Sequence, residues 1–502
     1  MKVSRTIIPL SVAGAMALVG LVAPSAYAGQ PISSSVASAS ASDDSPAVSG
    51  AQCYPGVPDP NACRRVLALK QVGSWIYAAG IIDTVIDRSG TSDVPISGFH
   101  NIFRFNATTH IVDAGWQPQL YKSALSYPSG GPTTTAYTDS AVTGLDADGS
   151  GNVFAAGSFQ NIATGPSAAT YIVRKGVVKL TPTGLVDTSF NAKVGAGGGS
   201  AVVNDVTYVR GTYSATVWLG GLFTRLGGGT GVARTGLAFV DTTGALTSNQ
   251  VPIAGQVTTT VGTKVAKFAI NNAVTKAAMI GNYTTVGGNS HKEVAVLDIN
   301  RADGTGSVDP WNAESSLAAS NSTNCNAKDT WARGVDWSPD NVHFNVAASG
   351  GGGFDAYGSY GALCDALTRF DSTKINVEPD LVNETGYDSL FTVVDTGDTL
   401  YTGGHNKYLN YKVYVKGVKV SAPQEDHYGL GAIDVRASSP TYGRAITSYN
   451  NSALTGRGAG WASSLSISGA GSTGGGVYIG GDAENVLGDS TIKRLAYVPS
   501  AG

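Results

Sequence analysis

Ala201-Val-Val-Asn-Asp-Val-Thr-Tyr-Val209, Val217-Trp-Leu-Gly-Gly221 and Leu237-Ala-Phe-Val240 follow one another with Gly, Thr and Asp filling the gaps, and a weaker apolar run lies around Val251. β-Branched and aromatic runs punctuated by turn residues read as an antiparallel meander of four strands. The middle phrase, an apolar run ending in small residues, returns along the chain: Ile76-Tyr-Ala-Ala-Gly80, Val153-Phe-Ala-Ala-Gly157, Ala278-Met-Ile-Gly-Asn282, Phe344-Asn-Val-Ala-Ala348, Leu400-Tyr-Thr-Gly-Gly404 and Val477-Tyr-Ile-Gly-Gly481. A period of this length is a whole supersecondary block and not a solenoid coil.

A lone four-stranded sheet leaves both faces wet, whereas radial packing of several sheets buries both faces of each and protects the edges. The expected fold is therefore all-β, a seven-bladed β-propeller of four-stranded antiparallel blades. Small residues at the end of each second run suit the crowded region where sheets converge. The third run recurs too, as in Ile102-Phe-Arg-Phe105, Leu367-Thr-Arg-Phe370 and Leu495-Ala-Tyr-Val498. A fourth run carries an aromatic or apolar residue beside Asn or Pro: Trp116-Gln-Pro118, Phe190-Asn191, Pro310-Trp-Asn312, Tyr449-Asn450. The seventh unit ends before it, so ring closure is expected to borrow a strand from the N-terminal side, with the residues between Cys53 and Cys63 as candidates.

Lys2 and Arg5, an apolar stretch from Ile7 to Val22 and then Ala26-Tyr27-Ala28 have the order of a secretory signal peptide. Pro24, Ser25 and Tyr27 interrupt the stretch where a span of about 20 apolar residues would have to continue. The expected organisation is a signal peptide over 1–28, a Ser/Ala-rich disordered linker over 29–52 and the propeller over 53–502. The protein is expected to be secreted, free or associated with the cell surface, as a monomer with no membrane span. Four cysteines in an exported chain favour disulfides. Three pairings are possible, and the local ones, Cys53 with Cys63 and Cys325 with Cys364, are preferred. A net charge of −3 with scattered Lys and Arg excludes the basic footprint of a nucleic-acid binder. Sixty-six glycines against 14% charged residues suit a turn-rich β protein.

Trp331-Ala-Arg333-Gly-Val-Asp336-Trp337-Ser-Pro-Asp340, then Leu363-Cys364-Asp365-Ala-Leu-Thr-Arg369-Phe370, then Asp398-Thr-Leu-Tyr-Thr-Gly403-Gly404-His405 and Val477-Tyr-Ile-Gly480-Gly481-Asp482 carry a family resemblance. From about Trp75 onward, most densely after Cys325, the chain resembles the delta-60-repeat-like propeller proteins secreted by Gram-positive bacteria. The resemblance implies an exported propeller, often joined in that family to carbohydrate-binding or adhesive modules, and implies no catalytic motif. Where the family has a Trp three residues after Gly-Gly-His, this chain has Tyr408, and of an Arg-rich stretch near Leu454 to Gly460 it keeps Arg457.

No catalytic or cofactor signature stands out. Asp146-Ala-Asp148-Gly149 begins like a calcium loop but lacks the later bidentate Glu, and a turn at this place wants the same residues. His100, His110, His291, His343, His405 and His427 show no ligand spacing, and no metal or other cofactor is expected. The acid pairs Asp336 with Asp340 and Glu425 with Asp426 are explained by turns. Loop length says more, because long loops on a rigid scaffold are where binding residues sit. The loops between second and third strands share a face with those entering each first strand, and on it Ile81 to His100, Ser158 to Gly176 and His405 to Gly429 are long. Tyr357 and Tyr360 in the fifth unit, and His405, Tyr408, Tyr411, Asp426, His427 and Tyr428 in the sixth, offer aromatic faces beside hydrogen-bonding groups, which suits sugar rings or extended peptides. The preferred reading is a non-enzymatic binder of a glycan, cell-wall polymer or extracellular protein. The competing one is a hydrolase or lyase acting on polysaccharide at the central channel, which a convergence of three or more buried, perturbed acids or histidines there would favour.

Overall fold

A computed structural model describes residues 42–50, 64–121, 140–163, 165, 171–196, 201–228, 231–257, 261–313, 332–349, 363–376, 378–386, 388–404, 406–447, 464–468, 476–482 and 494–499. Among them every regular element is a β-strand, and no helix is long and apolar enough to cross a membrane. The segment expected to be a signal peptide, and Cys53, Cys63 and Cys325, lie outside these residues.

Each recurrent phrase is the middle strand of an antiparallel sheet. In the first unit Arg65–Val72 pairs with Trp75–Ile81, which pairs with Ile102–Asn106. The same inner, middle and outer order holds for Val142–Ala147, Val153–Gly157 and Val177–Leu180, for Val202–Arg210, Ala215–Leu222 and Leu237–Asp241, for Lys264–Ile270, Lys276–Asn282 and Val294–Ile299, and for Ala332–Trp337, His343–Ala348 and Ala366–Asp371. Leu390–Asp395, Thr399–Gly404 and Leu430–Asp434 form the sixth, and Ser464–Ser468, Gly476–Gly480 and Leu495–Pro499 the last among the described residues. Each inner strand packs against the next unit's inner strand, and Ser464–Ser468 returns to Arg65–Val72. The sheets thus surround a common axis in a β-propeller-like ring. The core is a series of apolar wedges between neighbouring sheets, such as Ala79, Trp116, Val142 and Phe159 between the first two.

The inner strands of the first six units share one irregularity, a register shift near their start, at Val66/Ala68 and Leu390/Thr392 among others. The recurrent small residue lies opposite this bulge. A Cβ at Gly80 would stand 2.0 Å from the Arg65 carbonyl oxygen, and one at Gly404 2.1 Å from that of Ser389. The crowding expected of these glycines therefore comes from their own sheet's bulged backbone.

The expected four-stranded blades need correction. A fourth ladder strand exists in the fourth unit, Gly306–Val308, and in the fifth, Leu381–Glu384. In the first, second, third and sixth the run contributes a single bridge, Phe105 with Val112, Leu180 with Val186, Val240 with Leu246 and Ile433 with Ala445. The aromatics of these runs go into the wedges between sheets, in the fourth unit as well as in the first and second. Trp116 turns edge-on to Tyr77 at 5.1 Å, Phe190 to Phe154 at 5.2 Å and Trp311 to Phe344 at 5.1 Å, all buried between sheets. Filling the wedge with a ring removes more apolar surface from water than one more exposed strand would.

In the first, second, third and fifth units the tail crosses to the next unit. Gln119–Tyr121 pairs with Asn161–Ala163, Gly195 with Arg225, Ile253–Ala254 with Thr285–Val286 and Leu381–Glu384 with Lys412–Val415. The acceptor in each case belongs to an insertion between the middle and outer strands. In the first unit that acceptor, Thr84–Asp87, pairs with Ala47–Ser49. The N-terminal segment therefore stands where a tail from the seventh unit would stand. This departs from the expected linker over 29–52: Ser45, Ala47 and Val48 are fully buried, and the Ser42 amide donates to the Tyr497 carbonyl at 2.7 Å. The residues between Cys53 and Cys63, the expected donor, lie outside the described residues.

Candidate functional site

The long insertion of the sixth unit folds into Tyr408–Leu409 against Glu425–Asp426 and Lys412–Val415 against Val418–Val420. Tyr408 sits opposite Asp426 in that pairing. The exposed Lys407 holds its ammonium 4.8 Å from the centre of the Tyr408 ring. A hydrogen bond to Tyr408, then the charges of Tyr408, Tyr428 and Asp426, raise the Lys407 amine above its ordinary value. These four side chains are thus brought together on the insertion.

The other expected residues are placed differently. His427 is fully buried; its amide donates to the Lys407 carbonyl at 2.9 Å, and its carbonyl accepts from Asn406 Nδ2 at 2.6 Å. It forms the floor of the hairpin and presents no ring to a ligand, which corrects the expectation for it. Tyr411 packs on Gly386, where an added Cβ would lie 2.6 Å from its ring, and its amide donates to the Glu384 carbonyl. Tyr357, Tyr360 and His405 lie outside the described residues. Cys364 is buried and is not a free thiol.

Asp146 and Asp148 do not form a calcium loop. Asp148 Oδ1 caps its own turn through the amides of Ser150 and Asn152, at 2.9 and 3.1 Å. Asp146 instead accepts the Tyr208 amide of the next unit at 2.7 Å and pairs with Lys70 at 2.7 Å.

That ion pair belongs to a charged lining of the axis, carried by the inner strands. Asp205 accepts the Phe268 amide at 2.9 Å and Asp336 the Asp395 amide at 2.8 Å, each from the following unit. Burial pushes the Asp205 carboxyl up to about 6 against the pull of Lys267, and pushes the Lys267 amine down against that of Asp205. Burial, with the charge of Asp395 adding, pushes Asp336 up to about 7, and Lys70 opposes it. Lys70 is in the first unit and Asp336 in the fifth, so the two influence each other across the axis. The sequence reading passed over Lys70, Asp205 and Lys267. At the bulge two successive residues, such as Asn204 and Asp205, are both partly accessible, which breaks the alternation that would have marked them as facing the axis.

A second polar network joins the fifth and sixth units at the turns between inner and middle strands. The Arg369 guanidinium pairs with the fully buried Asp395 carboxylate, to which Asn345 Nδ2 also donates at 2.8 Å. His343 lies between two carboxylates, Nδ1 at 2.6 Å from Asp340 and Nε2 at 2.9 Å from Asp380. Burial works against its charge, but the hydrogen bonds to Asp340 and Asp380 prevail and raise it to about 9. His343, Asp371 and Asp380 place ligand-type atoms within 4.8 Å of one another. Both ring nitrogens lie on carboxylates, so the group is tied together as an ion-pair network.

No family model and no curated protein matches the chain. Among solved structures, it is similar to the WD40 β-propeller domain of Doa1 over 88% of this chain and 98% of that one, at 10% identity and a TM-score of 0.35.

Proposed function

We propose that the chain is an exported seven-bladed β-propeller that binds a glycan or cell-wall polymer through its long-loop face, with the sixth unit's insertion as the contact. The observation that carries this reading is the grouping of Tyr408, Tyr428, Lys407 and Asp426 on a hairpin anchored by buried His427 and Asn406. Aromatic rings stack on the apolar faces of sugars, and an ammonium beside a carboxylate supplies donors and acceptors for ring hydroxyls. A disulfide between Cys325 and Cys364 would pin the neighbouring loop, and one between Cys53 and Cys63 would close the N-terminal one. The test is co-sedimentation of the secreted form with purified cell walls and insoluble polysaccharides. A Tyr408→Ala, Tyr428→Ala variant is expected to lose pelleting, while Tyr411→Ala retains it. Failure of the parent to pellet on any polymer removes the glycan reading and puts an extracellular protein partner first.

A second reading is supported by the axis. Burial raises the Asp205 carboxyl to about 6 and the Asp336 carboxyl to about 7, on inner strands that also carry Lys70, Lys267 and Asp146. A carboxyl held protonated by burial is one of the groups a polysaccharide hydrolase or lyase uses, as its general acid. That reading expects release of soluble sugar from a polymer substrate, abolished in Asp336→Asn.

A further inference from the structure

We propose that the cleft at the ring's seam is a binding site for an extended peptide strand, and that Ser42–Gly50 is its exchangeable occupant. The cleft lies between Leu495–Pro499 of the last unit and Thr84–Asp87 of the first. Ala47, Val48 and Ser49 form a ladder with Ile86, Val85 and Thr84, and Val48 is buried with Val66, Ile82 and Val85. On the other side the Tyr497 amide donates to Ser45 Oγ at 2.9 Å, and the Tyr497 carbonyl accepts the Ser42 amide at 2.7 Å. His110 Nδ1 lies 2.9 Å from Asp44 Oδ1.

Arg494 defines the chemistry of the site. Its guanidinium, fully buried, donates to the Val48 carbonyl and, at 3.1 Å, to the Gly50 carbonyl. Donors aimed at backbone carbonyls recognise an extended strand as such, and one small apolar pocket, that of Val48, adds selectivity. This is recognition by strand addition.

Exchange follows from how the seam is held. The inner strands Ser464–Ser468 and Arg65–Val72 pack together without the strap, and the Val66 amide donates to the Gly481 carbonyl at 2.9 Å. The ring therefore has a closure that does not pass through residues 42–50. The strap contributes a three-residue ladder strand, and Pro46 has no amide to donate. Gly50 rests against the Arg64 side chain, where an added Cβ would be 2.5 Å from Arg64 Cγ, so the connection from 51 to 63 starts and ends at one place. A short tether keeps the strap at high effective concentration and its own cleft filled.

The experiment introduces a specific protease site between Ala51 and Gln52, upstream of Cys53, into the otherwise complete chain, cuts it, and adds a labelled peptide spanning Ser42–Gly50. The labelled peptide is expected to enter the cut chain and to be displaced by unlabelled peptide, and a Val48→Asp peptide to compete at least ~30-fold less well, since it would bury an unpaired carboxylate. Equal competition by the Val48→Asp peptide, or a cut chain that retains its strap against a large excess, overturns the proposal. Hydrogen exchange on the uncut chain is a second measurement that needs no insertion. The amides of 42–50 are expected to exchange at least ~10-fold faster than those of Ala215–Leu222, through a local opening. Exchange of both at one rate means that the strap leaves only when the whole ring unfolds, and the proposal fails.

Discussion

Gly80 meets a carbonyl oxygen where any other residue would place a Cβ. Gly80→Ala is expected to cost about 1–3 kcal/mol through forced displacement of the bulge, read as a lower denaturant midpoint. In the fifth unit Ala348 pairs across the bulge where the others have glycine, so Ala348→Gly should cost only about 0.5–1 kcal/mol, through backbone entropy. His343 gives a pH-dependent prediction. Its folded pKa, about 9, lies above the ordinary 6.5, so its contribution to stability is complete below about 6.5 and disappears as pH rises through 9. His343→Gln should lower the urea midpoint at pH 6 and have little effect at pH 10; an equal loss at both would mean that packing, not charge, holds the network. The recurrent small residue was legible because a close approach leaves a strict mark on composition. His343 was not, because Asp340 beside it reads as a turn residue and its second carboxylate partner, Asp380, is distant in sequence and is brought to it only by the pairing of strands.

The middle and outer strands were readable as continuous apolar runs because both faces of each are buried over several positions. The tail elements were misjudged for the opposite reason: Ile253–Ala254 and Gln119–Tyr121 are two and three residues long, too short to show a period. Trp116 was expected in a fourth strand, but it lies in none, and its ring is a wedge between the first two sheets. Trp116→Ala should cost about 3–5 kcal/mol, and global denaturation with tryptophan fluorescence corrected for the lost chromophore would measure it. A loss under 1 kcal/mol would show that the wedge closes over the gap. Ala47–Ser49 escaped notice because a Ser- and Ala-rich stretch without an aromatic residue resembles a linker; its order comes from Arg494 and Tyr497, more than four hundred residues away in sequence.

For the whole molecule, the charged axis links pH to the stability of the ring. Asp336 has a folded pKa near 7, above that of a free carboxyl, so its ionisation opposes the fold and stability declines as pH rises from about 4 to 7. Asp336→Asn keeps an acceptor for the Asp395 amide and removes that charge. The difference in Tm between variant and parent should therefore grow over that interval and level off above it. A difference independent of pH would show that Asp336 does not carry its charge in an enclosed channel.

The crossing of a tail to its neighbour's insertion, seen in four units, also bears on how such a chain could gain or lose a repeat. Excision of one sheet at its own borders would orphan one donor strand and one acceptor hairpin. A clean duplication would run instead from the start of one insertion to the end of the following tail donor, out of phase with the sheets. Homologous chains with fewer or more repeats should therefore have their breakpoints inside the segment between middle and outer strands, and the N-terminal donor should be retained in all of them as the piece that completes the count.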